Sequence, residues 1–356
     1  MNVKILNNEK LLRKFASEWK EVYETLDYAT PYQDWNWNYL YWKNFRGDKQ
    51  LSVFVYSVER TADAILPMWV REQLGLFVLE PIGTRGTDYI HLLLDFDSAE
   101  EVTDKFLKWF SLSKLDILNL EDLPHTAFYI SFLKKNAKKN GLSYYFNDKY
   151  CPCFEIDLSN GWRGYLEALS KRERSDLKYY RRYANRNAES VIYRKGNSSD
   201  LIEHFRLHQE ARNKKGDKGT YEKESVKKLI SEYVGSIEKD GLLKLVFLEI
   251  DKSCCATILG IEKDVTSFNM TIGHDPTFSK LRPGTLLYGY DIEDCVQRGV
   301  EKYDLSRGPD TYKSKMGAKL KYNTRLVIAK SEKNIERYLE NQKIYWRNED
   351  YAPTVK

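Results

Sequence analysis

"VFVYSVERTADAIL", residues 53–66, and "VFLEIDKSCCATIL", residues 246–259, open on the same Val-Phe pair and close on the same Ile-Leu pair at identical spacing. Each reads as a strand, a tight turn and a second, antiparallel strand. Helical patterns precede both, over 9–24 and 35–45 in one case and over 162–186, 198–213 and 222–239 in the other. After each comes a further strand, "DYIHLLL" (88–94) and "VTSFNMTI" (265–272). A helix follows (99–112 and 284–298), and then another strand (115–120 and 302–305). Element order repeated at long period marks a duplicated unit. The chain is therefore expected to be α/β (α+β), with two tandem domains at 1–158 and 159–356. Each is expected to be a mixed, mostly antiparallel sheet flanked by helices.

Length agrees, since 356 residues exceed one ordinary core. Hydrophobic residues at 42% and aromatics at 14% can fill two cores, which excludes a disordered chain. No stretch approaches the roughly 18–20 apolar residues of a membrane span. The opening "MNVKILNNEKLLRKF" lacks the apolar region of a signal peptide, so a cytoplasmic location is expected. Five cysteines (151, 153, 254, 255 and 295) form an odd set without zinc spacing, and no metal site is expected.

Net charge is +5, and its placement says more than its size. Segment 171–186, "KRERSDLKYYRRYANR", holds seven Lys/Arg against two acids, which leaves the remainder balanced at 50 of each sign. Leu166, Leu169, Leu177, Tyr180 and Ala184 mark its core side. Lys171, Arg174, Lys178 and Arg181 stack on a neighbouring face. Missing interleaved acids point to an anionic partner. With one basic segment and no nucleic-acid motif, a phosphate-bearing small molecule fits better than a polymer.

Three further stretches carry candidate chemistry. "SKLRPGTLL" (279–287) puts Lys280 and Arg282 before a helix opened by Pro283, Gly284 and Thr285. Free N–H groups and the positive dipole end at such a start suit an anion. "GTRGTDYIHLLL" (83–94) puts Asp88 at the mouth of a strand, where it either reaches a cleft or caps the turn. "YDLSRGPDTYKSKMG" (303–317) gathers Arg307, Asp310, Tyr312, Lys313 and Lys315 just past a strand end.

Helices, an antiparallel meander, a helix and a strand make the plan of the GNAT acyltransferases, and R-P-G-T-L resembles their pyrophosphate loop, without its final glycine. The stretches "TPYQDWNWNYLYWKNF" (30–45), 83–95, 165–182, 281–290 and 303–317 together resemble the CelD-like, FemAB-related tandem-GNAT acyltransferases. Within that group the chain is most similar to nucleotide-sugar N-acyltransferases such as that of anthrose biosynthesis. The resemblance implies transfer of a short, 3-hydroxylated or plain acyl group from acyl-CoA to the amine of a dTDP-linked amino-deoxysugar. Lys280, Arg282, Gly284, Thr285 and Leu286 would hold coenzyme A in the C-terminal domain. Asp88 of the N-terminal domain would be the general base, with the acceptor nucleotide between the domains. Arg174, Lys178, Arg181, Arg307, Asp310, Tyr312, Lys313 and Lys315 would grip that acceptor. Two alternatives stay open: Fem-type transfer from aminoacyl-tRNA, and a nucleic-acid-binding protein on a degenerate GNAT core.

Overall fold

The computed structural model describes residues 2–57 and 62–348. Among the described residues no helix is long and apolar enough to cross a membrane. The chain divides into two compact units, one of Met1–Pro152 with Tyr322–Lys356, the other of Cys153–Lys321. The chain passes from one unit to the other after Pro152, and the segment from Tyr322 packs with the first unit, not with the stretch that precedes it. Strand Lys319–Ala329 pairs antiparallel with Ile117–Pro124, Val327 opposite Asn119 and Ala329 opposite Ile117. Helix Glu332–Asn348 then lays Ile335 and Tyr338 against Val78, Ile117 and Val327. Pairing across some 200 residues has no local signature, so a sequence reading leaves this segment where the chain order puts it.

In the first unit, strands Asn2–Leu6, Val53–Ser57, Ala64–Leu66 and Leu93–Leu94 form an antiparallel sheet, with Ile5 opposite Phe54 and Phe54 opposite Leu66. A second sheet runs Lys319–Ala329, Ile117–Pro124, Leu76–Pro81, Met68–Gln73 and Gln50–Leu51. Helix Ala99–Leu112 buries Val102, Phe106 and Phe110 at helical spacing against Phe54, Leu66 and Leu118. Each such side chain contributes about 1.5–3 kcal/mol by leaving water.

In the second unit the sheet order is Val191–Lys195, Leu243–Ile250, Ser253–Lys263, Thr266–His274, Lys302–Arg307 and Ser143–Asp157. The hairpin closes on Asp251 and Lys252, both left-handed at φ +50° and +67°, as a two-residue hairpin turn demands. Helix Pro283–Gln297 buries Leu286, Leu287 and Ile292 beside Leu248 and Ile258. Burial pushes the Cys255 and Cys295 thiols up to about 12, so neither is a ready thiolate.

Candidate functional site

The second unit contains a strand fork. Thr266–His274 pairs in parallel with Lys302–Arg307 only at Thr266, Ser267 and Phe268, opposite Lys302, Tyr303 and Asp304. On its other edge the same strand slips register between Leu259 and Gly260, which leaves Met270 as the extra residue of a bulge. Beyond Phe268 the strands part, and side chains set their spacing. The Asn269 amide nitrogen donates to the Asp304 carbonyl at 2.7 Å, while the Ser306 hydroxyl donates to the Asn269 carbonyl at 2.6 Å. Ser306 takes φ +58°, and its N–H donates to the Asp304 carboxylate at 2.6 Å.

Behind the fork lies a buried ion pair that the sequence does not advertise. Lys244 Nζ is 2.6 Å from Asp291 Oδ2, with both side chains almost wholly buried. The same ammonium donates to Ser267 Oγ at 2.8 Å and Asn269 Oδ1 at 2.9 Å. Tyr193 and Tyr303 both donate to Asp291, and burial and its charge hold their phenols above the ordinary range. Every charge here has partners, which is what makes its burial tolerable.

The helix starting at Pro283 opens beside this fork. Arg282 takes the left-handed conformation (φ +49°, ψ 58°) and reverses the chain from the turn Pro276–Leu281 into the helix. Gly284 and Thr285 offer N–H groups without backbone partners, and the first turn holds no acid. Among the described residues a Cβ on Gly284 would meet only Ile272 Cδ1, at an ordinary 3.6 Å, so their packing does not require this glycine. Lys280, Arg282 and Thr285 are exposed, and the Arg282 guanidinium lies over the Tyr180 ring at 5.2 Å. Leu286 is different: its side chain is core and its N–H donates to Arg282 O, so it offers a ligand nothing. Open N–H groups at a helix start without an acid suit an anion.

Several residues expected to grip phosphate are otherwise engaged. Arg181 donates to Glu293 and to the Gly289 carbonyl, both at 2.7 Å, and stacks on Tyr290 at 4.4 Å. Arg174 donates to Leu169 O at 3.3 Å. Lys313 is buried and donates to Arg307 O at 2.7 Å and Ser306 O at 3.3 Å, which closes the loop behind the fork. The resemblance assigns Arg181 and Lys313 to the acceptor; in the structure Glu293 and the Gly289 carbonyl hold the first, and the Ser306 and Arg307 carbonyls the second. Lys178, Asp310, Tyr312 and Lys315 are exposed, Arg307 half-buried. Asp310 is the N-cap of the short helix Thr311–Lys315.

His208 was not singled out in the sequence. Its Nδ1 faces the Ile272 carbonyl at 2.9 Å, so Nδ1 carries the proton and Nε2 is a bare lone pair, buried without a partner. Burial pushes this imidazole down to about 4, and it stays neutral.

In the first unit, Asp88 does not start a strand. Residues 88–92 are irregular and only Leu93–Leu94 pairs. Asp88 is half-buried, its carboxylate accepts from the Tyr32 hydroxyl at 3.0 Å, and its carbonyl accepts from Asn323 at 2.7 Å. The glycines before it serve packing. Gly83 has φ +87° and sits against Thr87, and a Cβ on Gly86 would collide with the Tyr41 hydroxyl. His91 is buried against Tyr28 and Tyr129 and pushed down to about 3, which removes it as an exposed base.

Comparison with known proteins supports the class that this geometry defines. Residues 171–314 match a family model described as an acetyltransferase (GNAT) domain. No curated protein matches the chain. Among solved structures, FemX superposes with a TM-score of 0.65 at 10% identity, over 98% of this chain and 100% of that one. The C-terminal domain (DUF2156) of an assigned lysylphosphatidylglycerol synthetase from Agrobacterium fabrum gives 0.56 at 10% identity, over 94% and 96%. L-PGS from Bacillus licheniformis gives 0.54 at 12% identity, over 94% and 96%. At these identities the likeness is one of fold. The protein has the mixed α/β fold of the GNAT superfamily and is an acyltransferase of GNAT type.

Proposed function

We propose that the protein transfers a short acyl group from acyl-CoA to the amino group of a nucleotide-linked amino sugar, a dTDP-deoxysugar in the reading its sequence favours. The observation that carries the donor half is the fork between Thr266–His274 and Lys302–Arg307, opening beside the acid-free helix start at Pro283. Gly284 and Thr285 would meet the pyrophosphate, with Arg282 and Lys280 adding charge. The edge of strand Thr266–His274 beyond Phe268 would supply the N–H that stabilises the oxyanion. An amine attacks a thioester directly, but only after losing a proton, and Asp88 is the acceptor we assign. Tyr32 would hold that carboxylate in place. Arg307, Tyr312 and Lys315 keep their assignment to the acceptor's diphosphate and base.

A second reading, Fem-type aminoacyl transfer, draws support from the full-length fold likeness to FemX. One thermal-shift screen separates the two. CoA esters with dTDP-, UDP- and GDP-amino sugars are tested beside aminoacyl-tRNA. A ligand at 100 times its Kd adds about 2.7 kcal/mol of stability. Joint stabilisation by a CoA ester and a nucleotide sugar supports the proposal. Stabilisation by aminoacyl-tRNA alone replaces it with the Fem-type reading.

A further inference from the structure

Helix Lys171–Asn187 presents two different faces. Leu177 and Ala184 are buried, and Arg174 and Arg181 lean inward on Leu169, Gly289 and Glu293. At about 100° per residue, Lys178, Lys171, Arg182, Ser175, Arg186, Tyr179, Arg172 and Tyr183 fall within an arc of roughly 140° on the other side. That arc carries five cations and no acid, and all five cations are exposed. Asp176 borders it and approaches Arg172 only to 4.0 Å. Tyr179 and Tyr183 stack on each other with centroids 5.7 Å apart and planes 20° off parallel, and Tyr179 is 50% exposed. The helix runs 17 residues, about 25 Å.

We propose that this outer face docks the protein on an anionic lipid surface. A small phosphate ligand would need its cations converging on one point, whereas these are spread along the whole helix. A bilayer engages such a row at once, and segment 171–186, with seven Lys/Arg against two acids, by itself equals the chain's net charge of +5. Two tyrosines with apolar rings and polar ends suit the headgroup layer. No aliphatic side chain lies on the arc, so the contact is adsorption rather than insertion, reversible and sensitive to salt. A nucleic acid is served less well, because a convex helix offers no groove and each ring has one face covered by the other.

The test sediments the full-length protein with vesicles of phosphatidylcholine alone and of an equimolar mixture with phosphatidylglycerol. Binding to the mixed vesicles only, released by high salt, is expected. The variant Arg172→Gln/Arg182→Gln/Arg186→Gln removes three charges and should lower partitioning about a hundredfold. Should that variant misfold, Arg186→Gln alone, near the helix end, should still lower it about fivefold. Absence of binding to anionic vesicles, or wild-type binding by folded variants, overturns the proposal. So does tight retention of a single-stranded RNA oligonucleotide by protein that ignores the vesicles.

Discussion

In the second unit the strand Thr266–His274 runs nine residues and leads, through Arg282, to a helix whose first turn carries no acid. In the first unit the matching strand shrinks to Leu93–Leu94, and the matching helix opens on Glu100 and Glu101. Two carboxylates at a helix N-terminus repel the anion that the other start would attract. Glycines divide the same way. Gly83 and Gly86 answer to Thr87 and Tyr41, whereas no neighbour among the described residues demands Gly284. The strands that close each half also part company: Lys302–Arg307 pairs with the long strand and forks from it, while Ile117–Pro124 joins the other sheet of its unit. One half thus keeps a forked strand edge beside an acid-free helix start, and the other turns the same plan to packing around Asp88.

The largest test of that division is Asp88→Asn. If this carboxylate takes the amine's proton, kcat should fall about 10²–10⁴-fold. Asparagine can still accept from Tyr32, so the melting temperature and CoA affinity should hold. Near-normal turnover with a lowered Tm would make Asp88 a turn residue and move the base to the second unit, where the His208 lone pair waits. Next comes Gly284→Val, expected to weaken CoA binding roughly ten- to a hundredfold, the worth of one or two hydrogen bonds to a charged group. Glu100→Gln, at the matching start, should leave that affinity unchanged by calorimetry. Equal losses in both would erase the asymmetry.

The smallest effect is on stability against pH. His91 in the first unit is depressed to about 3, and His208 in the second to about 4, beside His204, also held well below normal by burial. Unfolded histidine titrates near 6.5, so between these values the unfolded chain binds more protons. Stability therefore rises with pH, and is lost as pH falls from about 6.5 towards 4. The urea midpoint should decline between pH 7 and pH 5, and less steeply in His208→Gln. A flat midpoint over that range would contradict the buried neutral state.

Much of the fold was legible because its signals are local. Helices Trp35–Phe45 and Ala99–Leu112 lie where periodicity put them. Both strand pairs form as the repeat implied, the tight turn expected in the first lying outside the described residues, although their registers differ by two residues: Phe54 faces Leu66, but the equivalent Phe247 faces Thr257. A slip of two keeps every side chain on its own face, so the pattern could not reveal it. The site was legible only in outline. The Pro283 start was visible because its residues are contiguous. Lys244 with Asp291, or Arg181 with Glu293, meet across distant stretches, and an arginine's charge does not say which carbonyl will claim it. The β composition of "DYIHLLL" predicts a strand with Asp88 at its mouth, but the Ile90 N–H donates to the Asp122 carbonyl and the segment stays irregular.

The return of Lys319–Ala329 to the first unit has a consequence for the order in which the protein is made. Domains ordinarily fold in the order in which they leave the ribosome. Here the second unit has all its residues once Lys321 has emerged, while Ile117–Pro124 of the first still has a bare edge. Asn323, which holds the Asp88 carbonyl, and Arg325, which lies 3.0 Å from the buried Glu121, are among the next residues to arrive. The half that is synthesised first is completed last, and the backbone of Asp88 gains its Asn323 partner only after the other unit is already whole.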